Sequence, residues 1–169
     1  MPPGPKGAAS PQQSIFPGMT SEPSPAVADV VRAFEKRRTL TGSLSHREHV
    51  MIAWHYARTR PAPQALVELV QGIQELAVAL GKESLYHETL TWAWFSVIRE
   101  RIERVGVDAS WEEFAAAAED ILSGRALEPY YDRAVLASDL ARRVFLMPGG
   151  GRMVSDPPPA GAHSSSSHS

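Results

Sequence analysis

Cysteine is missing from all 169 residues, which rules out disulfides, thiolate metal sites and cysteine nucleophiles and suits a reducing compartment. Net charge is small: 17 basic residues stand against 19 acidic ones, a formal −2, so no bulk attraction to nucleic acid or to an anionic membrane is implied. The one basic run, Lys36-Arg37-Arg38, falls at the end of an expected helix, where cations complement the dipole, and that reading is preferred to a nucleic-acid patch. Long apolar runs are lacking too. The densest, Trp92 to Ile98, is far short of the roughly 20 residues that cross a bilayer, and Arg99-Glu100-Arg101 follows it. No basic-then-apolar leader opens the chain and no arginine precedes Arg32, so neither a secretory signal nor a mitochondrial presequence is expected. A cytoplasmic protein is the expectation. There is also no Gly-x-Ser-x-Gly elbow, phosphate-cradling glycine loop, RNA-binding signature or sustained heptad array.

What remains, 43% apolar and 21% charged, suits one globular domain. Residues 1–24 hold six of the 14 prolines, and 149–169 are rich in Gly, Pro and Ser. Neither stretch can bury enough apolar surface to offset its ordering entropy, so disordered ends are expected around a helical domain at 25–148. His163 and His168 sit in a serine tract and read as low complexity.

The domain reads as helix throughout. Val27, Val30, Val31 and Phe34 have the spacing of an amphipathic helix. After Gly42 and Ser43, Ser45 with Glu48 predicts a capping box opening a second helix that runs to about Arg60, where Pro61 and Pro63 stop it. A third carries Leu66, Leu69, Val70, Ile73, Leu76, Ala77 and Leu80 on one stripe and ends at Gly81. Gly72 inside it costs about 1 kcal/mol relative to Ala, a cost that suits close approach by a neighbour. The fourth is expected over Glu83 to Val105. The fifth is capped by Ser110 with Glu113, carries Trp111, Phe114, Ala115, Ala118, Ile121 and Leu122, and ends at Gly124. A short Tyr130-Tyr131 segment precedes a last helix, capped by Ser138 and running from Asp139 to Met147. The expectation is a compact all-α bundle of five to six helices.

All four histidines outside the ends lie at 46, 49, 55 and 87, on the second and fourth helices. Stepping back along the apolar stripe Ala57, Ala53, Val50 reaches His49 and His46; stepping back along Val105, Ile102, Ile98, Phe95 reaches Thr91, Glu88 and His87. Short connections make alternate helices parallel, so both openings are expected at the same end, facing inward at similar depth. Two helix N-termini there disfavour imidazolium and favour an anionic ligand. In the catalytic reading His49 or His87 moves a proton and Glu88 orients it. His46 holds the anion with the helix termini, and Tyr86 and Thr91 are further ligand-binding candidates. Against it stands a structural reading, in which the same side chains are partly buried polar residues that fix helix register. A metal variant would use His46, His49 and His87, but His-x-x-His alone is a weak metal motif. His55 reads as a boundary histidine, and Trp54, Trp92 and Trp94 as packing, with one of them available to wall a pocket.

The block His46-x-x-His49-x3-Ala53-Trp54, with Tyr86-His87-Glu88-Thr89-x-Thr91-x-Ala93-Trp94 and the later Tyr130-Tyr131 and Ser138-x-x-Ala141-Arg142, resembles an uncharacterised family of small bacterial all-helical proteins. The resemblance covers residues 43–148 and implies one helical domain in which His46, His49, His87 and Glu88 are a shared set. It implies no activity.

The function expected from these residues is that of a small enzyme, of specialised metabolism, doing lyase-, cyclase- or isomerase-type acid–base chemistry on an anionic small molecule. No cofactor is required by the sequence; a divalent metal enters only in the metal variant. The alternative is a non-catalytic binding or adaptor protein that docks a second copy or another protein.

Overall fold

The computed structural model describes residues 25–149, and every regular element among them is helical. The expected disorder at 1–24 and from 150 onward lies outside the described residues. Eight α-helices are present: α1 Pro25–Glu35, α2 His46–Thr59, α3 Ala62–Ala79, α4 Glu88–Val105, α5 Trp111–Ala117, α6 Glu119–Leu122, α7 Arg133–Leu136 and α8 Asp139–Arg143. A single 3-10 turn, Glu83–Leu85, precedes α4.

The bundle is built around α2, which touches α1, α3, α4 and α6. Its residues Val50, Met51, Ile52, Ala53, Trp54, Tyr56 and Ala57 are all buried, on every side of the helix rather than along one stripe. A helix apolar all round must be enclosed. Its start is as expected: the Ser45 hydroxyl accepts from the Glu48 N–H, and the Glu48 carboxylate accepts from the Ser45 N–H at 2.7 Å. The α1 stripe Val27, Val30, Val31 and Phe34 is wholly in the core.

On α3 the buried line is Ala65, Leu69, Gly72 and Leu76, rotated from the expected one. Phe34 sets the rotation. A Cβ on Gly72 would lie 2.5 Å from the Phe34 ring, so the glycine is the seat of that ring and α3 turns this face inward. Val67 and Val78, on the opposite side, are exposed.

Three expected helices break or stop early. The fourth does not run unbroken from Glu83, because Tyr86 and His87 are extended and His87 is the N-cap of α4. The fifth is divided at Ala118, which ends α5 and precedes α6, although Trp111, Phe114, Ala118 and Ile121 still share one buried line. The last stops at Arg143 instead of Met147. Its continuation is held extended against α4: the Thr89 hydroxyl, fully buried, donates to Val144 O at 2.7 Å and accepts from Leu146 N–H at 3.0 Å. Tyr131 donates to Leu146 O, and Phe145 stacks on Trp92.

Two substitutions test these contacts by urea denaturation. Gly72→Ala gains about 1 kcal/mol of helix propensity but pushes into a buried ring, so a net loss of roughly 1–3 kcal/mol is expected. Thr89→Val keeps the shape and strands two main-chain groups. It should cost about 1–3 kcal/mol and speed hydrogen exchange at the Leu146 amide.

Candidate functional site

The α2 and α4 helices run in the same direction. The His46 ring packs edge-on against Trp94 with centroids 4.9 Å apart, while at the other end Arg99 donates to Ala57 O and Arg58 to Val107 O. The depths differ, however. His46 stands against a residue seven positions beyond His87, about 10 Å along a helix axis, so the two openings are staggered rather than level.

Between the staggered openings lies a cavity of about 230 Å³, closed on a third side by α3. His46, His49, Tyr86, His87 and Thr91 are on its wall, together with apolar groups such as Leu69 and Ile73 of α3 and Trp94 and Phe95 of α4. Five of the six residues singled out from the sequence therefore share one cavity. Glu88 does not line it; its carboxylate lies behind the wall and accepts the Tyr86 hydroxyl at 2.5 Å. No lysine or arginine lines the cavity.

Each imidazole is fixed by a main-chain carbonyl, and because a carbonyl only accepts, each of these bonds identifies a ring nitrogen that carries hydrogen. His46 donates from Nε2 to Ile121 O at 2.7 Å. His49 donates from Nδ1 to Ser45 O, one turn back, at 2.9 Å. His87 donates from Nε2 to Leu136 O at 2.8 Å, and its Nδ1 accepts the Leu90 N–H at 3.2 Å. His87 is thus a buried N-cap with both nitrogens engaged, leaving neither a lone pair for a substrate nor a ligand for a metal. His49 is the opposite case: its Nε2 has no partner among the described residues. Burial lowers the His49 pKa from its ordinary 6.5; the Ser45 bond opposes that shift, and nearby His46 adds to it. At neutral pH its Nε2 is therefore an open lone pair.

The two hydroxyls on the wall are also committed. Thr91 donates to His87 O at 2.9 Å within its own helix. Burial raises the Tyr86 pKa, as does the Glu88 carboxylate that holds its proton, while Thr91 and Gln74 offset a part.

The metal set His46, His49 and His87 is not assembled. Among the described residues no three His, Cys, Asp or Glu side chains gather where they could hold an ion, and main-chain bonding of His87 shows why. The positive end of α2, expected to help hold an anion, already carries the Glu48 carboxylate. His55 is half-buried beside Tyr56, away from the cavity, as its position round the helix predicts. Trp54 is core, against Trp111 and Phe114, and Trp94 is the tryptophan that walls the cavity.

Sequence reasoning missed the share of α3, whose Leu69 and Ile73 form the third wall, and that of Leu85 on the 3-10 turn. Leu69 and Ile73 were legible as an apolar stripe, but nothing in that stripe distinguishes a cavity wall from a filled core. No helix among the described residues is long and apolar enough to cross a membrane. Comparison with protein-family models, with curated proteins and with solved structures finds no match, so the reading of the site rests on its own geometry.

Proposed function

We propose that the protein binds a small, largely apolar molecule in the cavity between α2, α3 and α4, and that His49 acts on it as a proton acceptor. The observation that carries this reading is the His49 ring: neutral by burial, oriented through Nδ1 by Ser45 O, and unpartnered at Nε2 on the cavity wall. A general base needs its lone pair available near neutral pH and its ring held by a second group, and both conditions are met. Proton abstraction, as in an isomerisation or elimination, is the reaction class that one such base serves. Thr91 is then the group that hydrogen-bonds the ligand beside His49, His46 and Tyr86 line the wall, and His87 positions the start of α4. An apolar cavity of about 150 Å³ holds benzene, so this one has room for a ring with a short chain. Leu85, 68% exposed beside the cavity, gives an entering apolar body a surface to cover.

Filling the cavity tests the binding half. Ile73→Trp should weaken binding of indole, a neutral ring-sized probe, at least tenfold, read from NMR shifts at the Leu69, Thr91 and Trp94 amides. Circular dichroism should show the helices intact, and undiminished indole binding would remove the cavity from consideration.

The His49 half is tested by pH. Its folded-state pKa lies below the unfolded 6.5, so the unfolded chain binds more protons across that interval. The stability contribution is present above pH 6.5 and is lost as pH falls through the folded value. His49→Asn keeps an N–H at the Nδ1 position for Ser45 O and cannot titrate. The fall in Tm between pH 7 and 5 should be smaller in this variant than in the parent, with His55, whose pKa burial also lowers, supplying the remainder.

A further inference from the structure

Resting on that cavity reading, we infer that its ligand is a cationic hydrogen-bond donor: a protonated primary amine on an apolar, ring-sized body. The inference comes from where the protons of the wall go. His46, His49 and His87 each donate to a main-chain carbonyl, Thr91 donates to His87 O, and Tyr86 donates to Glu88. Every hydrogen these five side chains carry in their neutral forms is therefore used inside the protein. What they leave without a donor among the described residues is Nδ1 of His46, Nε2 of His49 and the Thr91 oxygen; the Tyr86 oxygen is already engaged by Gln74 and Thr91. His87 contributes nothing, since its Nδ1 is taken by Leu90 N–H. The Trp94 indole N–H is the one side-chain hydrogen on the wall without an acceptor among the described residues, and the Gln74 amide lies near the Tyr86 oxygen.

A buried wall with several acceptors and almost no donors selects against carboxylates and phosphates, which bring only more acceptors. It selects for a group with several hydrogens to give. An ammonium gives three, one for each of these acceptor atoms. Charge agrees with hydrogen bonding. No lysine or arginine lines the cavity, whereas the Glu88 carboxylate lies one hydrogen bond behind it through Tyr86. The remaining wall, including the rings of Trp94 and Phe95, suits an apolar body. The anionic molecule expected from the two helix N-termini is thereby replaced. At α2 the N-terminus is closed by its own capping box, and at α4 the first cap is His87.

The test compares three probes of matched body on the whole chain: 2-phenylethylamine, 2-phenylethanol and 3-phenylpropionate at pH 7.5. Affinities are read by NMR, with the pH midpoint of the His49 ring followed in parallel. The amine should bind at least tenfold more tightly than the carboxylate and more tightly than the alcohol. Its binding should lower the His49 midpoint, because an ammonium on Nε2 competes with protonation. His49→Leu and Thr91→Val should each reduce amine affinity several-fold while circular dichroism shows the helices intact, which separates loss of the acceptor from loss of the fold. If the carboxylate or the alcohol binds as tightly as the amine, the ammonium assignment is overturned and the cavity reading stands. If none of the three binds and indole does not bind either, both readings fall together.

Discussion

The constraint on which the rest depends is that seven of the eight α2 residues from Val50 to Ala57 are buried, spread over all its faces, with His55 alone half-buried. Such a helix has no solvent side, so α1, α3, α4 and α6 must all lie against it. Apart from His55 its charged and imidazole side chains lie towards its two ends, and each end solves the same problem differently. At the C-terminal end the cations spread over aromatic faces, Arg58 over Trp54 at 4.4 Å and Arg60 over Tyr56 at 3.9 Å. At the N-terminal end the imidazoles of His46 and His49 are partly buried and settle on main-chain oxygens. The cavity exists because α4 enters alongside that polar turn without matching its depth, so the space between is not filled by interlocking side chains.

Main-chain bonding of the imidazoles does two jobs. It removes the cost of burying polar rings, which a core would otherwise meet with an unsatisfied donor. It also fixes which nitrogen carries hydrogen, so the character of the cavity is set by carbonyls that are not part of its chemistry. The hydrogen bonds separate the histidines from one another. His87 is a cap and a tie between α4 and the segment after α7. His49 is held by one bond only and keeps its other nitrogen unspent.

The sequence made the helices legible where a cap and a period coincided. Ser45 with Glu48 and Ser110 with Glu113 are capping boxes in the structure as in the sequence, and α1 buries the four residues its spacing marks. Legibility failed where a side chain bonds main chain far along the sequence. Thr89 reads as an ordinary helical residue, yet its hydroxyl ties down the non-helical segment 144–146. His87 reads as helix interior and is a cap, because its ring bonds Leu136 O, 49 residues on. Of the site, the grouping of His46, His49, Tyr86, His87 and Thr91 was legible, since the direction of helices follows from short loops. Their roles were not, because roles depend on which carbonyl each proton finds.

Those distant partners bear on how the protein is made. The bonds that fix the cavity wall and the start of α4 join His46 to a carbonyl 75 residues later and Thr89 to one 55 residues later. Contacts of such sequence separation require long loops to close before they return anything, so they form after the local helices. During synthesis α1, α2 and α3 can pair as they emerge. The α4 side of the pocket, in contrast, lacks its clamp until Leu146 has left the ribosome. A chain cut short within α8 would keep most of its helices and still present an unfinished pocket.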